Sequence, residues 1–251
     1  ADIFGFTTSQ FAKDFEVKSE VIRRRKEEFG LDSFNVGLGL RTIGVALGSK
    51  LGVPEHGIDY IEHHVLQDYA DFDKLEVTDP YKNPVLAPIL ESAKRLKERF
   101  PDVSITTSVA GPISTAIAVR PVEKVLRDTR KNPEMLHKLL DLTVVCSLKW
   151  FEAFYHEFGS VGTNFSDPVT CMDVISKKQF DEFSLPYIKK LLGEFRADLL
   201  KELETQLDPL EDIYELIGKA IVDDPPITIR EGGMIREGYN EEADRLRHAK
   251  T

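Results

Sequence analysis

The sequence predicts an α/β chain. It reads as a partial (β/α)8-type barrel with about four parallel strands, then a mainly helical tail with a short β-hairpin. Three observations point there. β-branched runs such as Val103–Val109 alternate with amphipathic helical stretches. The alternation repeats at roughly 25–40 residues per unit, a spacing that suits parallel βα units better than hairpins. Near residue 190 it stops and a helical period takes over. A closed eight-fold barrel takes about 250 residues. Here ~190 are spent on four strands, so a complete barrel does not fit.

Residues 7–29 read as a helix, with Thr7, Thr8 and Ser9 as caps and Gly30 as its stop. Its basic run, Arg23-Arg24-Arg25-Lys26, is followed by Glu27-Glu28 and suits a solvated face better than a phosphate site. Ser33–Leu40 is the first strand. Gly37, Gly39 and Gly44 follow GxGxxxxG spacing, not GxGxxG, which disfavours a dinucleotide loop. Arg41–Leu51 reads as a short helix ending near Gly52. Ile58–Val65 reads as a strand with His63 and His64 on opposite sides, one packed and one solvated. Asn83 caps a helix that Pro84 opens and Pro101 ends.

Val103–Val109 is the clearest strand. Gly111 then allows a tight turn, and Pro112 pre-sets the next helix. Pro121–Arg130 is helical. Asn132 and Pro133 open a long helix to Phe158, with Leu136, Leu139, Leu140, Val144, Phe151 and Phe154 in an apolar stripe. Trp150 belongs with that core. Val161–Phe165 is a strand that stops before Pro168, which has no N–H to donate. Ser176 opens a further helix.

Asp167 therefore stands just past a strand end. Ligands of parallel α/β folds bind at the carboxyl ends of strands, which makes Asp167 a candidate site residue. Position alone leaves an equal alternative, in which Asp167 or Ser166 caps the following turn.

The bulk numbers narrow the classes. Hydrophobic residues are 41% and charged residues 30%, ordinary for a globular chain. The net charge of -10 disfavours DNA binding. No apolar run reaches membrane-spanning length, and the first residues lack a signal-peptide pattern. Two distant cysteines, Cys146 and Cys171, suit a reducing cytoplasm.

Three stretches resemble the uroporphyrinogen decarboxylase superfamily, in particular its corrinoid-dependent methyltransferase branch. They are GLGLRTIGVALGSKL, VAGPISTAIAVRPVEKVLRDTRKNPEMLHKLLD and SDPVTCMDVISKKQFDEFSLPYIKKL. The resemblance covers about residues 1–190. It implies a barrel with its pocket at the carboxyl strand ends, lined here by Gly111, Pro112, Asn164, Ser166 and Asp167. It also implies zinc that activates a thiol, and a methylated corrinoid protein as methyl donor. The chain departs from that pattern. It has no His-x-Cys motif, and neither cysteine has a companion at metal-ligand spacing. No metal or other cofactor is expected in this chain, and no residue is assigned a catalytic role.

The stretch AIVDDPPITIREGGMIREGYNEE resembles the core of the DNA mismatch-repair protein MutS, over about residues 184–251. There the segment is structural. No GxxxxGK[ST] loop accompanies it here. Asp223-Asp224-Pro225-Pro226 ends a helical run, and ITIREGGMIREGY reads as a hairpin around Gly232-Gly233. Both resemblances fit SLPYIKKLL, which points to a chimera or fragment fusion joined near Leu185–Leu192, with domains 1–190 and 191–251.

Three functions follow as expectations. One is an incomplete methyltransferase-like barrel taking a corrinoid protein or tetrapyrrole-like ligand. Another is a non-enzymatic scaffold that self-associates through exposed sheet edges. The third is a mismatch-repair fragment, which the acidic balance disfavours.

Overall fold

The computed structural model describes residues 2–52, 59–159, 163–171, 173–193, 228–231 and 234–237. The first five strands are β1 (Ser33–Gly37), β2 (Lys50–Gly52), β3 (Tyr60–His63), β4 (Ser104–Ala110) and β5 (Thr163–Ser166). β1, β4 and β5 form a parallel sheet with β4 in the centre. β2 and β3 pair antiparallel, apart from that sheet.

Among the described residues three strands run parallel where about four were expected. The run around Ile58–Val65 does hold a strand, but it turns back onto β2. Only residues 53–59 separate the two, too few for the crossover a parallel neighbour requires. Among the described residues the sheet stays open and does not close into a barrel.

The helices are α1 (Thr8–Lys13), α2 (Phe15–Phe29), α3 (Thr42–Ala46), α4 (Leu86–Arg99), α5 (Pro112–Val119), α6 (Val122–Lys131), α7 (Pro133–Phe158) and α8 (Lys177–Phe183). Residues 185–193 are helical as well. The expected helix over 7–29 is two helices. Asp14 breaks it, because its carboxylate accepts from the Glu16 and Val17 N–H groups and starts α2 afresh. The basic face of α2 is solvated and paired: Arg23 and Arg24 meet Glu20, Arg23 also meets Glu27, and Lys26 meets Asp102. Asn83 does accept from the Val85 and Leu86 N–H groups, although regular helix begins only at Leu86.

The core lies on one side of the sheet. Ile105, Thr107 and Val109 of β4 point into it, against the long apolar stripe of α7. Leu136, Leu139, Leu140, Val144, Trp150, Phe151 and Phe154 are all buried there, as their spacing requires. Arg120 is buried beside them, paired with Asp128 at 2.7 Å and stacked on Tyr69. Its guanidinium also donates to the Gln67 carbonyl, which ties the loop before Tyr69 to α5 and α6.

The hairpin is present as expected: β6 (Thr228–Glu231) pairs antiparallel with β7 (Met234–Glu237). The other expected helices of the tail lie outside the described residues. Among the described residues no helix is long and apolar enough to cross a membrane.

Candidate functional site

β4 and β5 end side by side. Ala110 is level with Ser166, and the Gly111 N–H donates to the Ser166 carbonyl at 2.8 Å. α5 begins one residue later at Pro112, where a fixed φ and a missing N–H cost nothing. The next two N–H groups have no carbonyl to reach within the helix. Asp167 takes both. Its carboxylate accepts from the Ser114 N–H at 2.8 Å, the Ile113 N–H at 3.2 Å and the Ser114 hydroxyl at 2.6 Å.

Asp167 thus caps a helix that begins more than fifty residues earlier, not the turn that follows it. That turn, Pro168–Thr170, is closed by the Thr170 N–H and hydroxyl donating to the Asp167 carbonyl. Gly111 makes the cap geometrically possible. A Cβ there would lie 2.5 Å from Asp167 Cγ and Oδ2, far inside contact distance.

The electrostatics are opposed. Burial pushes the Asp167 carboxyl above its ordinary pKa, while the Ser114 hydroxyl and the Ser114 and Ile113 N–H groups favour the charged form. Burial is the larger influence. The negative charge, when present, faces the positive end of α5.

The expected site residues divide by exposure. Gly111 and Pro112 are buried and shape the wall. Asn164 and Ser166 are exposed on the sheet face turned away from the core, and Asp167 is half-buried at their end. Asn164 is level with Ser108 of β4, whose hydroxyl donates to Asn35 Oδ1 at 3.0 Å. Asn35 Nδ2 in turn donates to Thr106 Oγ1 at 3.2 Å.

Asn35, Ser108 and Ser114 were not among the expected site residues, though each leaves a trace. Ser104, Thr106 and Ser108 alternate with Ile105 and Val109, the period of a two-faced strand. Ser114 is the third residue of a helix opened by proline.

Other candidates do not converge on this place. His63 is exposed. His64 is half-buried, with Nε2 3.1 Å from the Ile117 carbonyl, and burial pushes its pKa down. His137 Nδ1 meets the Tyr187 hydroxyl at 2.7 Å. Cys146 is buried in α7 and its thiol is pushed up by burial, the setting of an inert core residue. Among the described residues no three His, Cys, Asp or Glu side chains gather to hold a metal ion, so these residues do not fit a zinc site.

The family model for uroporphyrinogen decarboxylase (URO-D) matches residues 2–201. The chain belongs to the uroporphyrinogen decarboxylase family. A solved methyltransferase from Methanosarcina mazei shares the fold of this URO-D chain with a TM-score of 0.65 at 21% identity. That similarity covers 78% of this chain and 57% of the methyltransferase. The DNA mismatch repair protein MutS of Acetivibrio thermocellus is 54% identical over 79 residues, which is 32% of this chain and 9% of that protein. MutS of Clostridium tetani is 30% identical over 240 residues, covering 90% of this chain and 25% of its own. That longer alignment runs into the part matched by the URO-D family. This chain therefore spans at most a quarter of these two MutS relatives.

Proposed function

We propose that residues 1–190 are the amino-terminal part of a methyl-transfer barrel and that residues 191–251 are a MutS core-like segment joined to it. The barrel part holds a corrinoid or tetrapyrrole-like ligand at the carboxyl ends of β4 and β5. The observation that carries this reading is the Asp167 latch on α5. It fixes a carboxylate one residue past Ser166, at the strand ends where parallel α/β folds take ligands. In the methyltransferase branch zinc holds the acceptor sulfur as a thiolate, the nucleophilic form. Among the described residues no such ligand set gathers, so we assign to them ligand binding without methyl transfer. Its free thiols suit the cytoplasm.

Equilibrium dialysis against methylcobalamin tests the binding. Retention that is lost in Ser166→Leu and Asn164→Leu supports it. No retention at about millimolar ligand, the weak end of specific binding, overturns it. Loss of the methyl-cobalt absorbance when zinc and a small thiol are added would overturn the non-catalytic half.

The 54% identity to MutS over 79 residues favours a second reading, a mismatch-repair core fragment. The net charge of -10 opposes it. A shifted DNA duplex at low salt would favour it over the first.

A further inference from the structure

We infer that this chain pairs with a second copy of itself across the uncovered face of its parallel sheet and through the β1 and β5 edges. The candidate site then lies between two copies. A parallel sheet is ordinarily covered on both faces. Here the described helices cover one. The other carries Asn35, Gly37, Thr106, Ser108, Asn164 and Ser166, all exposed or half-exposed.

Among the described residues the edges are open too. The Ser104 N–H donates to the Asp32 carbonyl and the Leu38 N–H to the Ser108 carbonyl. Even-numbered residues of β1 therefore turn their backbone groups toward β4, and Asn35 and Gly37 turn theirs outward. On β5 the Ser166 carbonyl faces β4, so Phe165 points its N–H and carbonyl away. Among the described residues no strand pairs with either edge. Such rows of unpaired groups are templates for another strand.

Charge and shape favour a second copy as the occupant. A chain of net charge -10 repels its own kind over most of its surface. None of these residues is ionisable, so two copies meet there without like-charge contact. A strongly charged partner would find nothing to pair with. Each copy carries both edges. A two-fold axis along the strands sets β1 of each beside β5 of the other, with every strand parallel. The interior of such a ring narrows as strand number falls. The small side chains of this face suit that. At Gly37 a Cβ would collide with Ser108 Oγ and lie 2.7 Å from Asn35 Oδ1, so the glycine lets the two polar groups fold flat across β1.

Sedimentation equilibrium of the full chain over about 1 to 200 µM tests this, since association depends on concentration. A reversible dimer is expected. Asn164→Asp, a near-isosteric change at an exposed position, puts like charges into the shared space. It should weaken the dimer about tenfold or more at low salt, with partial recovery at high salt. Circular dichroism checks that the variant folds. Hydrogen exchange should slow at the Asn35, Gly37 and Phe165 amides only in the dimer. A monomer throughout the range, a dimer indifferent to Asn164→Asp, or slow exchange at those amides in the monomer would each overturn the proposal. The last result would mean that the chain's own residues cover the face.

Discussion

Thr107 and Ser108 are neighbours on β4 with the same functional group and opposite surroundings. Thr107 faces the core. Its hydroxyl donates to the Val36 carbonyl at 2.8 Å and accepts from Trp150 Nε1 at 2.8 Å. Ser108 faces the uncovered side, where its hydroxyl donates to Asn35 at 3.0 Å. The distances differ little, yet the two bonds carry different weight. Water can replace Asn35 at Ser108, whereas nothing replaces Thr107 between β1 and α7. Removing one member of a buried pair leaves the other unpaired, at a cost of about 1–3 kcal/mol. One strand therefore anchors the fold with its odd-numbered residues and turns its even-numbered ones to the uncovered side, where Thr106 and Ser108 bond to Asn35.

The contrast breaks most sharply at Trp150. Trp150→Ala empties the centre of the core face and is expected to cost about 4 kcal/mol, read from urea unfolding midpoints. Gly111→Ala comes next, at the end of the sheet. Its new methyl group meets the Asp167 carboxyl, and the overpacking is expected to cost about 2 kcal/mol. The same latch gives a pH signature. Folding raises the Asp167 pKa, so its stabilising contribution is fully present below the ordinary value of 3.8 and is lost as pH rises through the raised value. Relative to Asp167→Asn, the wild type should lose stability across that window and level off above it. A pH-independent difference in midpoints would show that burial does not govern this carboxyl. Thr107→Val is smaller, at about 1–2 kcal/mol for leaving Trp150 Nε1 and the Val36 carbonyl without the hydroxyl.

How far these features could be read in advance depended on distance along the chain. Pro168 ends β5 by its own chemistry, so the place of Asp167 was legible. Its binding to Ser114 was not, because the two lie 53 residues apart and only the parallel register brings them together. The stripe of α7 was legible because one helix repeats a single period over 26 residues. The pairing of β3 was not. Its companion β2 is three residues, Lys50–Gly52, and carries no alternation to announce a strand. Asp14 hid in the opposite way, inside a stretch of good helical period that its side chain interrupts.

The smallest effect sharpens the comparison most. Ser108→Ala removes a hydroxyl one residue from Thr107, on the same strand and with a bond of similar length. Its amide companion, Asn35, is exposed and can turn to water, and the methyl group that remains fits beside Gly37. The expected change is within about 0.5 kcal/mol, measured by urea unfolding at a concentration low enough to keep the chain monomeric. A loss as large as that of Thr107→Val would mean that this face is not open to water in the monomer. It would place the Asn35–Ser108 pair among the groups that hold β1 to β4. A null result in stability, together with a changed dimer constant, would assign the even-numbered residues to association alone.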